Sequence, residues 1–211
     1  MTSNAKFWDG IAEKYARDPI KDMKSYEYTL ERTRSYLGKS DKVLELGAGT
    51  ASTALLLADS AGQITASDLS DGMLNVGRRN AKAQGVGNID FLCSDAMVAE
   101  VAPGSFDVVM AFNLLHLVPD LDAVLARAHE VLNPGGLLIS KTPCLDDSNI
   151  FARGAFRVMI PVMQLFGKAP FVRYMTSDYL ERRITRAGFT IIERVNLPGK
   201  VGRPYYVARR D

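Results

Sequence analysis

Short apolar runs alternate with amphipathic segments along most of this chain. Bounded by polar residues, the apolar runs predict five strands: Lys42–Leu46, Gln63–Asp68, Asn88–Cys93, Phe106–Phe112 and Gly136–Lys141. None of them alternates cleanly between apolar and polar positions, which is typical of strands buried on both faces of a parallel sheet. Helical periodicity with start and stop signals lies between them, over Asp71–Gln84 and Asp120–Leu132. Strands that alternate with helices in this way predict a doubly wound α/β sheet.

The segments outside this alternating region follow other patterns. Residues 5–37 place aromatic and apolar side chains at helical spacing and predict one or two helices. Residues 144–176 form a long apolar segment, which we expect Pro161, Gly167 and Pro170 to interrupt. A helix then a hairpin are predicted to follow, over Thr176–Ala187, Phe189–Asn196 and Tyr205–Arg209.

These elements together predict one domain over residues 1–211 with a mostly parallel, seven-stranded, Rossmann-like sheet. An N-terminal helical cap (1–38) precedes the core that would bind a cofactor (39–143). A helical insertion covers the core (144–176), and a last helix with the antiparallel hairpin follows (177–211).

Composition narrows the classes of partner. The net charge of +2 is close to neutral, so no basic footprint for nucleic acid is present. No apolar run is long enough to span a membrane, and we expect no stable membrane insertion. Cys93 and Cys144 form no C-x-x-C motif, so we expect free thiols, a cytoplasmic location and no metal site.

The stretch V-L-E-L-G-A-G-T, residues 43–50, predicts a ligand-binding turn between a strand and a helix. Glycines at 47 and 49 let a ligand approach the backbone, and the helix that follows presents free N–H groups. A dinucleotide needs a third glycine, but Ser52 stands at that position. S-adenosylmethionine, which carries no phosphate, is the other candidate, and a tight turn without any ligand is the alternative.

Two acids follow the next strands at the same predicted edge of the sheet. Asp68, about 20 residues beyond the glycines, offers two oxygens to the hydroxyls of a ribose. It is also a candidate helix N-cap, although Ser70 or Asp71 can fill that role. Asp95 ends the third strand and can accept a hydrogen bond from an adenine amine; a solvated loop acid is its alternative.

Several motifs in order resemble those of the class I S-adenosylmethionine-dependent methyltransferases. V-L-E-L-G-A-G-T is similar to their first motif, A-S-D-L-S to their second and C-S-D-A to their third. F-D-V-V-M-A-F-N-L-L-H-L-V and V-L-N-P-G-G-L-L-I-S resemble their fourth strand and the approach to their fifth. The resemblance covers residues 40–142, with Ala51 standing where the family often has a third glycine. We expect its methyl group to narrow the pocket near the methionine end.

The resemblance implies S-adenosylmethionine as cofactor, S-adenosylhomocysteine as product, and a role for particular residues. Gly47 and Gly49 would line the methionine portion, with Glu45 shaping the turn. Asp68 would bind the ribose hydroxyls. Leu69 and Met73 would pack on the faces of the adenine, and Asp95 would accept from its amine, with the backbone of Ala96 beside it. The backbone carbonyl of Asn113 would accept from the methionine ammonium. For Leu69 and Met73, ordinary core packing is equally favoured.

Methyl transfer from a sulfonium mainly requires alignment, and a base only if the acceptor must lose a proton. His116, three residues beyond Asn113, is the best candidate base, with packing or capping as its alternative. Tyr15 is a second candidate, since similar N-terminal helices in the family fold over the cofactor, and ordinary amphipathic packing is equally favoured. We interpret His129 as part of a solvated helix face.

The insertion is expected to supply the acceptor pocket. Apolar side chains favour a small apolar, lipid-like or quinone-like acceptor: Met159, Met163, Phe166, Phe171 and Tyr174. Arg153, Arg157 and Arg173 are candidates to meet an anionic group, and a helix pair with a buried stripe is the alternative. Two other functions stay open at this point: a nicotinamide-dependent oxidoreductase, and a cofactor-binding module without acceptor chemistry.

Overall fold

The computed structural model describes residues 3–98, 100–199 and 201–211. Within them, seven strands form a single sheet: β1 (Lys42–Leu46), β2 (Gln63–Asp68), β3 (Ile89–Cys93), β4 (Phe106–Phe112), β5 (Leu132–Lys141), β6 (Phe189–Leu197) and β7 (Arg203–Arg210). The spatial order is β3-β2-β1-β4-β5-β7-β6. The first five strands are parallel, while β7 is antiparallel to both β5 and β6. The predicted Rossmann-like sheet with a final antiparallel hairpin is confirmed.

Burial on both faces explains why the strands show no clean alternation. In β4, Val109 and Ala111 belong to the core beneath the helix 121–131, whereas Val108 and Met110 belong to the core on the opposite face. Successive side chains of a strand point to opposite faces, so both sets must be apolar. The strand β4 is therefore a continuous apolar run in the middle of the sheet.

The seven helices within the described residues are α1 (Ser3–Arg17), α2 (Met23–Arg34), α3 (Ser52–Leu57), α4 (Asp71–Gln84), α5 (Leu121–Val131), α6 (Ile150–Leu165) and α7 (Ser177–Arg186). Side chains cap five of them by accepting a backbone N–H from the first turn: Asp22, Ser70, Asp120, Asn149 and Thr176. Ser70 caps α4, as the sequence allowed, and this leaves Asp68 available for another role. None of the described helices is both long and apolar enough to cross a lipid bilayer.

The insertion differs from its expected form. Pro161 does not interrupt it, because α6 runs without a break from Ile150 to Leu165, and the chain first leaves the helix beside Gly167. None of residues 150–165 is buried, so the alternative of a helix pair with a buried stripe is also wrong. Proline is costly inside a helix because its ring displaces the preceding turn. A helix that is not packed on all sides can bend locally without disturbing a core.

His129 also differs from its expected place. Its ring lies edge-on to the ring of Phe189, with the two centroids 5.2 Å apart. The interpretation as a solvated helix face is wrong, because α5 packs there against the start of β6. Gly188 makes room for the contact: a side chain at that position would begin 2.9 Å from His129 Nε2.

Candidate cofactor and acceptor site

A cavity of about 890 Å³ opens at the carboxyl ends of the parallel strands. Ligand sites in proteins span roughly 300–1,000 Å³, and open α/β sheets bind ligands at this edge. Helices α1 and α2 cover the cavity from one side, and the loops after β3 and β4 from the other. All nine residues that the resemblance assigns to the cofactor line it, and so does Tyr15: Glu45, Gly47, Gly49, Asp68, Leu69, Met73, Asp95, Ala96 and Asn113.

The glycine turn brings backbone to the cavity wall. Gly47 and Gly49 both adopt left-handed conformations, with φ of 65° and 55°. A side chain at Gly47 would begin 2.7 Å from Leu114 Cδ1, so this glycine is required for packing. A side chain at Gly49 would meet no atom within 4 Å, because its Cα faces the open space of the cavity. Only the second glycine therefore keeps room for a ligand.

Ala51 does not narrow the pocket, contrary to the expectation from the sequence. It is fully buried, it does not line the cavity, and its methyl group lies toward Gly77 of α4. Its backbone is left-handed, with φ of 54°. The family's glycine at this position relieves backbone strain, since a side chain in this region of φ is unfavourable.

Asp68 holds the turn as well as facing the cavity. Its Oδ2 accepts the Gly49 N–H at 2.8 Å and its Oδ1 accepts the Ser70 N–H at 2.9 Å. The side chain is only 8% exposed, and burial together with the nearby Asp9 raises its pKa, which these backbone hydrogen bonds oppose. Each carboxylate oxygen keeps a second lone pair, so Asp68 can accept from ribose hydroxyls without losing the turn.

Glu45 is a buried acid at the floor of the cavity. It is 3% exposed, and burial raises its pKa to about 8 although it accepts the backbone N–H of Ala54. Its Oε2 has no hydrogen-bond partner among the described residues. An orphaned carboxyl oxygen beside the glycine turn fits a cationic ligand group there, as the ammonium of a methionine moiety would be.

The ends of β3 and β4 complete the cofactor half. Asp95 accepts the Met97 N–H at 2.9 Å and is exposed, so its outer oxygen is free for a ligand amine. Asn113 is left-handed, with φ of 53°, and its N–H donates to the Lys141 carbonyl at 2.7 Å. Leu69 is half-buried on the cavity wall, whereas Met73 is buried and also packs against α1.

The two candidate proton acceptors occupy different places. Tyr15 is 49% exposed, yet burial of its hydroxyl end and the charges of Asp68 and Glu45 raise its pKa. It therefore faces the acidic side of the cavity. His116 does not line the cavity; burial lowers its pKa to about 4, and its Nδ1 is without a partner within the described part of the chain. The geometry gives no support to His116 as a base, and that role stays a hypothesis.

The insertion contributes little to the cavity wall. None of its five proposed apolar pocket residues lines the cavity, and only Pro170 reaches it. The candidate arginines do not reach it either: Arg157 pairs with Asp146 at 2.9 Å, and the Arg173 guanidinium donates to the carbonyl of Pro119. The expected acceptor pocket built from this segment is therefore wrong in its residues.

Sequence reasoning missed the polar group at the acceptor end. Lys141, at the carboxyl end of β5, lines the cavity together with Arg203, Asp22 and Tyr26. A lysine that ends an otherwise apolar strand was the signal available in G-G-L-L-I-S-K. Its neighbours come from α2 and β7, which no local pattern connects with β5. Among the described residues, no group of three His, Cys, Asp or Glu side chains has the geometry of a metal site.

The chain is similar in sequence to known methyltransferases. Residues 43–136 match the family model described as a methyltransferase domain. The demethylmenaquinone methyltransferase of Geobacillus kaustophilus is 33% identical over 156 residues, which are 70% of this chain and 64% of that protein. The chain thus spans slightly less than two thirds of that relative's length.

Solved structures share the fold at low identity. The phosphoethanolamine N-methyltransferase 2 of Haemonchus contortus in complex with S-adenosyl-L-methionine aligns with a TM-score of 0.74, at 16% identity, over 88% of this chain and 52% of that chain. The [4+2]-cyclase SpnF aligns with a TM-score of 0.72, at 19% identity, over 87% of this chain and 78% of that chain. A fold that serves both a methyltransferase and a cyclase does not itself fix the reaction.

The sheet order also distinguishes this chain from dinucleotide-binding proteins. In those proteins the sixth strand continues the parallel order. In this chain β7 lies between β5 and β6 and is antiparallel to both. S-adenosylmethionine is the methyl donor typical of the family that the matched model describes. The motifs, the sheet order and the sequence relatives agree that residues 43–136 of this chain form a methyltransferase domain of the class I S-adenosylmethionine-dependent type.

Proposed function

We propose that this protein transfers a methyl group from S-adenosylmethionine to a small, largely apolar, quinone-like acceptor. The observation that carries the proposal is the continuity of the cavity. The residues assigned to the cofactor line the same cavity as an apolar set, Phe112, Leu117, Val118, Pro143 and Pro170. A flat ring can lie there next to the reacting centre. The demethylmenaquinone methyltransferases among the relatives support an acceptor of this class.

The chain's part in such a reaction is alignment and the exclusion of water. The cofactor supplies an activated methyl group on a positively charged sulfur. Gly49 and the loop at Asn113 would orient the donor, and Leu117 and Val118, which line the same cavity, would hold the acceptor ring beside it. Alignment of this kind contributes on the order of 7–11 kcal/mol of barrier lowering. No metal is required for this displacement.

The exposed face of α6 supports an acceptor that resides in lipid. Phe151 is 85% exposed and Phe166, just beyond the helix, is 70% exposed, with Val158, Val162 and Leu165 on the same side. Residues 148–170 include Arg153, Arg157 and Lys168 but no acid. An amphipathic helix with a bulky apolar face and basic flanks is typical of segments that lie on an anionic lipid surface. Gln164 Nε2 donates to the Pro170 carbonyl at 2.7 Å, which ties this helix to the cavity mouth.

The test is turnover with a defined acceptor. Purified protein, S-adenosylmethionine labelled in the methyl group and 1,4-naphthohydroquinone kept reduced should give a methylated ring product and stoichiometric S-adenosylhomocysteine. Binding of S-adenosylhomocysteine without product from this or related hydroquinones would favour the cofactor-binding module. Binding of NAD in place of the adenosyl sulfur compounds would overturn the proposal.

A further inference from the structure

Lys141 is a buried amine that forms no ion pair with a carboxylate of the described residues. The residue is 8% exposed and lines the cavity. Within the described ranges its Nζ forms no hydrogen bond and no ion pair; its contact is the face of the Tyr26 ring, 5.9 Å away at the centroid. A buried ammonium without a carboxylate is costly, because charge leaves water without compensation. The amine of Lys141 is therefore available to an anionic group of a ligand that enters the cavity.

The groups around Lys141 leave its positive charge without a dedicated carboxylate. Arg203 of β7 pairs with Asp22 at the start of α2, at 2.9 Å, so this carboxylate is already engaged. Tyr26 is neutral at ordinary pH because burial raises its pKa. β4 presents Phe112, which carries no charge, so the titratable groups that face the amine are Asp22, Tyr26 and Arg203. Burial, and then Arg203, lower the pKa of Lys141, and the charge of Asp22 opposes this shift only in part.

The position of Lys141 separates it from the cofactor residues. The cofactor half lies over β1 and β2, with Glu45, Gly49 and Asp68, and β4 separates these strands from β5. The Lys141 carbonyl accepts the Asn113 N–H at 2.7 Å, so the ends of β4 and β5 are locked side by side. Lys141 consequently faces the part of the cavity into which the methyl group is delivered.

We propose that Lys141 binds the methyl acceptor through an ionisable oxygen, a phenol or enol hydroxyl, which it holds as the oxyanion. This inference rests on the proposed function and specifies the chemistry of its acceptor. The hydroxyl proton passes to Nζ when the amine is neutral, and to water when it is already ammonium. An electron pair from the oxyanion, or from the ring carbon next to it, forms the bond to the methyl carbon. The methyl–sulfur bond breaks and its pair stays on sulfur.

For a carbon acceptor, the ring carbon then loses its hydrogen as a proton to water, and the ring becomes aromatic again. No oxidant is needed in either case, because the positive charge of the sulfonium and the negative charge of the oxyanion cancel. Held in this way, an acceptor oxygen ionises at a lower pH than in water, and its ring becomes more nucleophilic.

The experiment uses 2-naphthol as a probe, with 2-methoxynaphthalene as its counterpart that cannot ionise. Protein saturated with S-adenosylhomocysteine is titrated with each compound, and the longer-wavelength absorption of naphtholate reports ionisation. We expect the wild-type protein to prefer naphthol by about 10- to 100-fold, as for a hydrogen bond to a charged group, and to hold it as naphtholate near neutral pH. Lys141→Met should lose both the preference and the absorption shift, while its affinity for S-adenosylhomocysteine is retained.

Two variants control this result. Lys141→Arg keeps the charge and should keep part of the naphthol preference. Lys24→Gln removes an exposed lysine of α2 that does not line the cavity, and should change nothing. If Lys141→Met does not fold, two measurements on the wild-type protein still test the inference. The first is its preference for naphthol over the methyl ether. The second is the decline of this preference at high pH, where the amine loses its charge.

Two outcomes would overturn the inference. One is equal binding of naphthol and its methyl ether by the wild-type protein. The other is a Lys141→Met variant that loses S-adenosylhomocysteine, which would assign the lysine to the cofactor. Failure of the proposed function has a different signature: naphtholate binds as expected, yet no hydroquinone is methylated.

Discussion

The carboxylate of Asp68 accepts the N–H of Gly49 at 2.8 Å, and thus joins the end of β2 to the glycine turn after β1. The residue assigned to the ribose hydroxyls therefore also fixes the backbone against which the methionine end would lie. A cofactor that contacts both residues would bind to a preformed edge rather than to two independent loops.

Replacement of Asp68 by alanine should consequently weaken the cofactor site in two ways. We expect the affinity for S-adenosylhomocysteine to fall by about 10- to 100-fold, since charge-assisted hydrogen bonds are lost, and the thermal midpoint to fall by a few degrees, roughly 2–4 °C per kcal/mol. Isothermal titration calorimetry and thermal unfolding measure the two effects. Asp71→Ala is the matched control, because Asp71 lies in the first turn of α4 but not in the cavity. Equal affinities in the two variants would contradict the ribose assignment.

Ala51 offers a prediction about stability alone. Its φ of 54° is unfavourable for any residue with a side chain, so Ala51→Gly should raise the free energy of unfolding by about 1 kcal/mol. For a chain of this size the thermal midpoint should rise by roughly 2–4 °C. Ala54→Gly, within α3, should lower it, because glycine is unfavourable inside a helix. A lower midpoint for Ala51→Gly would contradict the proposed strain.

Glu45 predicts a pH dependence of stability. Its pKa in the folded protein is about 8, above the ordinary value of 4.5, so the folded state holds a proton that the unfolded state releases between these values. The stability of the ligand-free protein should therefore fall as pH rises from about 5 to 8. In Glu45→Gln this part of the slope should be absent. Urea denaturation at a series of pH values measures the free energy of unfolding of the wild type and of Glu45→Gln. Identical slopes of this free energy against pH in the two proteins would contradict the raised pKa.

Glu45 should also couple cofactor binding to pH. A cationic ligand group beside the carboxylate favours its ionised form. Binding of S-adenosylmethionine should therefore release protons below pH 8, and the affinity that Glu45 contributes should rise with pH up to about 8 and then level off. Calorimetry in buffers of different ionisation enthalpy counts the protons, and the same experiment on Glu45→Gln should count fewer.

The exposed face of α6 predicts lipid binding. The wild-type protein should sediment with vesicles that contain phosphatidylglycerol, and less in high salt, because basic side chains contribute. Phe151→Ser combined with Phe166→Ser should reduce this binding severalfold. The control is Ile192→Ser, which removes an exposed apolar side chain of β6 far from α6 in sequence. Should the double variant bind vesicles as the wild type does, the lipid-surface role of α6 would be excluded.

Local patterns were sufficient to assign residues that line one cavity in the structure. Glycines after a strand and acids at strand ends can be recognised within single strand–turn–helix units, so Gly49, Asp68 and Asp95 were assigned to the cofactor without knowledge of the tertiary fold. Ser70, the cap of α4, was likewise among the candidates that the sequence offered. These features depend on contacts between residues close in sequence or on adjacent parallel strands.

The acceptor half could not be predicted, because it depends on contacts that are distant in sequence. Lys141 meets Arg203 only because β7 is inserted beside β5, and meets Tyr26 only because α2 folds over that edge. The apolar residues of the insertion were assigned to the pocket on composition alone. In the structure Met159 and Met163 are exposed on α6 and the other three residues follow that helix, all outside the cavity lining, and composition cannot distinguish the two placements.

The insertion of β7 has a consequence for synthesis of the protein. β6 joins the sheet only through β7, although β6 is translated first. Until β7 has paired with the edge of β5, β6 has no strand of the sheet with which to pair natively. Completion of the sheet and arrival of Arg203 beside Lys141 therefore coincide, because both depend on β7.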